Sequence, residues 1–419
     1  MKLDTDFSSI MANPNEITPH LFRTEYSKIV AVLCRSFDIK HIEIAEDIAS
    51  ETFLKASEYW AIHGIPDHPA AWLYTVAKNK TKDYFKHLSV IEKNKQEEIR
   101  TAEKEFQTID FNTQNISDSQ LEMIFTICNP LNSQETQVSL ALQILCGFSI
   151  EEIANAFLSK TETIKKRLQR GRESLRTHHF TIDSLNEQDI HQRLETVLTT
   201  LYLLFNEGYF SRTNNFLIRK DLCLEAMRLT LILTENQLTN TPKTNALLAL
   251  MCFQSSRLDA RINDEGEAIL FDEQDEMLWD KALIEKGNYY LVEACQNNDI
   301  SISKYHLEAG IAYWHTSGSK EKWQPILTLY NQLVIIEYSP VTGLNRAFAF
   351  SKVYGNKKAI REAEKLNLIT NEYYHGLLGH LYSKINTDKA IHHFGEAIRL
   401  TKSRSEKQTL QKQLNLLIP

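Results

Sequence analysis

Glycine and proline are scarce in this chain, thirteen and nine among 419 residues, and alternating runs of β-branched residues are missing. Both shortages speak against sheets and turn-rich folds. With Leu, Ile, Ala, Glu and Lys frequent, they favour helix throughout, and an all-α fold is expected. No apolar run approaches the ~18 residues that a membrane span requires. The opening stretch MKLDTDFSSIMANPNE carries acids where a secretion signal has a basic start and an apolar core. A soluble cytoplasmic protein, without membrane partner, is expected. The six cysteines, Cys34, Cys128, Cys146, Cys223, Cys252 and Cys295, are far apart and form no Cys-x-x-Cys pair. The adjacent pairs His178-His179 and His392-His393 point to different helix faces. Buried thiols and no metal site follow. There is no Gly-rich phosphate loop and no nucleophile motif, so no cofactor and no catalytic residue are indicated.

Positive charge is also in the minority overall, with 47 Lys and Arg against 54 Asp and Glu. The exception is SIEEIANAFLSKTETIKKRLQRGRESLR, Ser149 to Arg176, which ends in a densely basic helix. Ser149 with Glu152, and Ser159 with Glu162, are capping-box spacings, so two helices begin there with a short connection between them. That is the spacing of a helix-turn-helix. On the second helix Ile164, Leu168 and Leu175 share a stripe with Gly171, which permits close packing. Glu162, Lys165, Lys166, Gln169, Arg170 and Glu173 fall on the opposite face. Gln and Arg there suit major-groove reading, and the cations suit phosphate contacts. A solvated face is the plainer alternative.

Helical periodicity runs from Leu21 to Phe37, from Ile42 to Trp60, and, after the break HGIPDHP, from Ala70 to His87. Residues 89–119 lack a wide apolar face and read as a linker. A second module follows to about residue 180, and residues 181–419 form an extension in which breaks space helices as helical-repeat proteins do. Near the end, Gly379 and Tyr382 on one helix and Ala390, Phe394 and Ala397 on the next form a tetratricopeptide-like pair.

Three segments carry a resemblance to the extracytoplasmic-function sigma factors. IANAFLSKTETIKKRLQRGRESLR resembles the promoter-reading helix-turn-helix of their fourth region, AEDIASETFLKASEYW their second region, and PAAWLYTVAKNKTKDYFK the helix that opens the promoter. The resemblance implies a region 2 module over 1–88, a linker over 89–119 and a region 4 module over 120–180. The partners it implies are promoter DNA and core RNA polymerase, at the β′ clamp and β flap. Thr163, Lys165, Lys166, Gln169 and Arg170 would then read the minus-35 element. Lys78, Asn79, Asp83, Trp72, Tyr74, His63 and Asp67 would serve the minus-ten element, the loop His63 to His68 capturing a flipped base. Trp72 suits the module's core better than a DNA contact. Asp47, Ser50 and Glu51 would contact polymerase, and the linker acids Glu97, Glu98, Glu103 and Glu105 would occupy a basic polymerase channel or serve as a solvated spacer. Ser50 and Leu158 depart from the commoner family residues, Gln and Gly.

The patches LYLLFNEGY, DLCLEAMRLT, SSRLDAR, FDEQDEMLWDKALI and SPVTGLNRAFA resemble the C-terminal extension of the subgroup called group forty-two, which is thought to regulate or support activity. Glu207, Asp272, Glu273 and Asp275 stand beside aromatics there, and caps and turns explain them better than acid–base chemistry. A buried polar network, or a site for a small-molecule or protein effector, is sought around Asn206, Arg257, Asp275, Trp279, Asn345 and Arg346. Two other functions stay open on sequence: a ligand-gated helix-turn-helix regulator with a helical sensor, and a helical-repeat scaffold or enzyme.

Overall fold

The computed structural model describes residues 14–37, 39–91, 109–157, 159–177, 187–209, 219–261, 263, 269, 271–296, 301–401 and 404–418. Eighteen α-helices and no strand occur among them, so the fold is all-α. The chain forms two compact units, Met1–Thr200 and Leu201–Pro419.

In the first unit, α1 (Pro14–Phe37), α2 (Ile42–His63) and α3 (Pro69–Ile91) form a bundle, and α4 (Thr113–Ile127) packs along α1. The core holds Ile29, Leu33, Ile42, Ala45, Ala49 and Leu73, and Phe53 meets Phe22 edge-on at 4.9 Å. α4 starts inside the stretch expected to be linker, because Asn112 caps it by accepting from the Asn115 amide. Its apolar face, Leu121, Ile124, Phe125 and Cys128, is then fully committed to the core. The acids Glu97, Glu98, Glu103 and Glu105 lie outside the described residues.

Next come α5 (Gln134–Leu140), which runs on into one π-helical turn (Ala141–Leu145), then α6 (Ile150–Ala156) and α7 (Thr161–Thr177). The capping box at Ser149 and Glu152 is present in both directions, the Glu152 amide donating to Ser149 and the Ser149 amide to Glu152. Gly147 ends the preceding helix with φ +66°, a left-handed conformation that favours glycine. Gln137 is buried yet satisfied: its amide donates to the carbonyls of Asn129 and Asn132, and it accepts from Thr200. α8 (Glu187–Tyr209) carries the chain across the division between the units.

The second unit stacks helices in succession: α9 (Lys220–Thr234), α10 (Pro242–Ser255), α11 (Lys281–Ala294), α12 (Lys304–Thr316), α13 (Trp323–Ile336), α14 (Pro340–Tyr354), α15 (Asn356–Glu364), α16 (Glu372–Tyr382), α17 (Thr387–Leu400) and α18 (Arg404–Asn415). α10 is buried on nearly every side, as a helix apolar all round must be. Small residues set the closest approaches. A Cβ on Gly287 would stand 2.7 Å from Phe253, and one on Gly379 would stand 2.9 Å from Phe394. Tyr382, Ala390, Phe394 and Ala397 are buried between α16 and α17. Five of the six cysteines are buried, and Cys295 is exposed. Burial pushes the thiols of Cys128, Cys223 and Cys252 up to about 12.

Candidate nucleic-acid interface

α7 is held from beneath and open above. Ile164, Leu168 and Leu175 are buried, and Gly171 lets the helix close on α5, since a Cβ there would stand 2.7 Å from Thr136 and 2.9 Å from Leu140. Thr163, Lys165, Lys166, Gln169 and Arg170 are all exposed. Lys165 lies 3.2 Å from Glu162, an exposed pair that adds little to stability and can be exchanged for a phosphate.

The other basic residues of α7 are engaged by partners within the first unit. The Arg167 guanidinium lies 5.6 Å from the Phe157 ring centroid and donates to Ser139. Arg172 donates to both carboxylate oxygens of Glu46 at 2.7 Å and to Gln143 at 2.9 Å, and Arg176 pairs with Glu43. Hydrogen bonding to Glu46 offsets burial and raises the Arg172 pKa. α7 is thus pinned to α2. Sequence reasoning did not single out Glu43, Glu46, Arg172 or Arg176. The available signal was position: Arg172 follows Leu168 by four residues and precedes Leu175 by three, which places it at the edge of the apolar stripe.

The outer face of α2 carries Asp47, Ser50 and Glu51, all exposed. Glu51 accepts from Lys80 at 2.7 Å and keeps 63% of its side chain exposed. Leu54 and Ile62 extend this face as exposed apolar side chains, 61% and 79% accessible.

On α3, Lys78, Asn79 and Asp83 are exposed. Trp72 is half-buried within an aromatic cluster: Tyr59 stacks on it at 5.5 Å, Trp60 lies at 5.4 Å, and His63 stacks on Tyr59 at 4.1 Å. His63 and Asp67 are exposed at either end of the short connection to α3. Tyr74 is placed differently from its expected role. Its hydroxyl donates to Glu25 and its ring stacks on Phe111 at 4.8 Å, so burial and Glu25 raise its pKa and its polar end is already engaged inside the first unit. The structure therefore gathers Trp72, His63 and Asp67 around one connection, with Lys78, Asn79 and Asp83 further along the same helix, and turns Tyr74 inward.

In the second unit, Tyr202 donates to Glu308 at 3.1 Å, and burial pushes the Glu308 carboxyl up to about 7. Tyr202 bonds Asn206, and Tyr330 bonds Asn345. Asp275 caps a short turn by accepting from the Met277 amide, and Arg346 bridges Asn331 and Glu362. Among the described residues, no group of three His, Cys, Asp or Glu is placed to hold a metal ion, and no helix is long and apolar enough to cross a membrane.

Residues 21–89, from within α1 to the last turn of α3, match the sigma-70 region 2 family. The chain belongs to the sigma-70 family. Over 387 residues it is 30% identical to an uncharacterized protein of Rhizobium meliloti, covering 90% of this chain and 91% of that one. The two proteins therefore share one family over nearly their whole length. Residues 193–295 match a family of unknown function, DUF6596, so the second unit begins with a domain that other proteins carry. No solved structure matches. Membership of the sigma-70 family implies binding to core RNA polymerase and to promoter DNA, and points to a transcription factor that is not itself an enzyme.

Proposed function

We propose that this sigma-70 family member is a promoter-specificity subunit of the extracytoplasmic-function type, which directs core RNA polymerase to a defined set of promoters and assists strand opening. The single observation that carries the reading is the exposed face of α2 inside the region 2 match: Asp47, Ser50, Glu51 and Leu54 share one side of the helix, away from Ala45, Ile48, Ala49 and Phe53. Carboxylates flanking an exposed apolar side chain suit a helical partner with basic residues, since charge sets orientation and the apolar contact contributes affinity.

Region 4 is assigned to residues 120–180, with Thr163, Lys165, Lys166, Gln169 and Arg170 toward the minus-35 element. Their exposure on a helix whose remaining arginines are engaged internally supports this. At the minus-ten element, Lys78 and Asn79 would meet the backbone and bases of the opened strand. The Trp72, Tyr59 and His63 rings, beside Asp67, offer a stacking platform for an unpaired base, an interaction of about 1–3 kcal/mol per base. The extension, residues 181–419, is read as a regulatory or supporting domain.

Gel filtration of the full chain with core polymerase tests the reading. Co-elution is expected, with the D47A/E51A/L54A variant eluting separately while keeping its helical circular dichroism. If that variant co-elutes as well as the unaltered chain, α2 is not the docking face.

A further inference from the structure

Buried polar atoms without partners are rare in native proteins because each costs about 1–3 kcal/mol. In the second unit several of them gather around one ring. Arg257 and Trp279 are each 8% exposed, and the Arg257 Nε and the Trp279 Nε1 have no hydrogen-bond partner. The backbone brings these two residues together, since the Asp280 amide donates to the Ser256 carbonyl at 2.8 Å. Phe271 joins them: the Arg257 guanidinium lies 5.1 Å from its centroid and the Trp279 ring 6.4 Å. Lys322 stands 5.0 Å from the same ring, and His315 meets it edge-on at 4.7 Å. Gln274, whose amide donates to the Phe271 carbonyl, adds an unpartnered Oε1.

The guanidinium is oriented from its other end. Arg257 Nη2 donates to the Tyr209 hydroxyl at 3.2 Å, and Arg261 lies over the Tyr209 ring at 4.0 Å while donating to the Tyr209 carbonyl. Of the three cations, Arg261 is engaged with Tyr209, whereas Arg257 keeps a free N–H beside Phe271 and Lys322 adds an ammonium. Two nearby carboxylates are engaged in caps, Asp275 accepting from the Met277 amide and Asp280 from the Leu283 amide. Two N–H donors, two cations and aromatic walls suit an anion carrying an apolar body.

We propose that the Arg257–Phe271–Trp279 cluster binds a small organic carboxylate, its oxygens taking the Arg257 Nε–H and the Trp279 indole N–H, and its body lying against Phe271. The site lies within the segment that matches the family of unknown function, residues 193–295, apart from Lys322 and His315. It does not depend on the promoter reading, because each residue named in it belongs to the second unit.

The test is a titration of the full chain with benzoate, read by the melting temperature and by isothermal calorimetry, with inorganic phosphate and neutral benzamide as the other arms. Benzoate is expected to bind and to raise the melting temperature, with benzamide at least tenfold weaker. Phosphate binding as tightly as benzoate would overturn the carboxylate assignment. W279F keeps the packing and removes one donor, and is expected to weaken benzoate about tenfold, the loss of one charge-assisted hydrogen bond. R257Q is expected to abolish binding, and K322Q, at a half-buried position, gives a reading should R257Q fail to fold. Absence of benzoate binding by the unaltered chain at millimolar concentration, or equal binding by W279F and K322Q, overturns the proposal.

Discussion

Lys165 and Arg172 stand two turns apart on α7 and do opposite things. Lys165 is half-exposed and paired with its neighbour Glu162, whereas Arg172 is 13% exposed and held by two oxygens of Glu46. Seven residues apart, the two lie on nearly the same side of the helix, so the difference comes from what faces them: Arg172 meets Glu46 on α2, and Lys165 meets its neighbour Glu162. Gly171→Ala places a methyl group within 3 Å of Thr136 and Leu140. Overpacking of this kind costs about 1–3 kcal/mol, so thermal unfolding of the first unit is expected at lower temperature. On the outer face, Lys166→Ala is expected to weaken promoter binding by the polymerase complex about equally across sequences and to reduce the salt slope by about one. Gln169→Ala should instead relax the choice of base at one position. Binding titrations over several salt concentrations and single-base promoter variants separate the two effects, and a sequence-independent loss from Gln169→Ala would count against base reading by this residue.

At the scale of elements, local signals proved legible and long-range ones did not. The capping box at Ser149 and Glu152 and the buried stripe of Ile164, Leu168 and Leu175 depend on spacings of a few residues, and both are present. The start of α4 at Thr113 was obscured because the polar run ThrGlnAsnIleSerAspSer shows its apolar face only when α1 is there to cover it. The contact between α2 and α7 joins Glu46 to Arg172 across 126 residues, which no periodicity encodes. A double-mutant cycle at Glu46 and Arg172 is expected to show coupling of about 1–3 kcal/mol, since both side chains are largely withdrawn from water and breaking one leaves the other unpaired. Coupling near zero would mean that the modules are held by other contacts.

Glu308 on α12 offers a pH test of the second unit. Burial raises its carboxyl from the ordinary 4.5 to about 7, against the opposing hydrogen bond from Tyr202 and the charge of Lys304. The folded state therefore binds the proton more tightly than the unfolded chain. Its contribution to stability is fully present below about pH 4.5 and is lost as the pH rises through about 7. Glu308→Gln removes the titrating group, so its denaturation midpoint should vary less with pH over this window than that of the unaltered chain. Equal slopes for the two proteins would contradict the assignment.

For the molecule as a whole, the all-α class follows from the shortage of glycine, proline and alternating β-branched runs, and the region 2 match covers the segment where AEDIASETFLKASEYW and PAAWLYTVAKNKTKDYFK lie. The division between units was less legible. It falls inside α8, between Thr200 and Leu201, because that helix is continuous through the change of core and nothing in its sequence breaks there. Among the expected site residues, exposed ones such as Asp47, Asn79 and Arg170 could be placed on a face by helical spacing alone. The inward turn of Tyr74 required Glu25 and Phe111, partners far away in sequence.

The central claim is that this chain gives core RNA polymerase the ability to start at particular promoters. Run-off transcription with core polymerase on fragmented genomic DNA, with and without the purified full chain, tests it most directly. Discrete transcripts that need the chain, and that vanish with D47A/E51A/L54A, are the predicted result. The same transcripts from core polymerase with or without the folded chain would contradict the account.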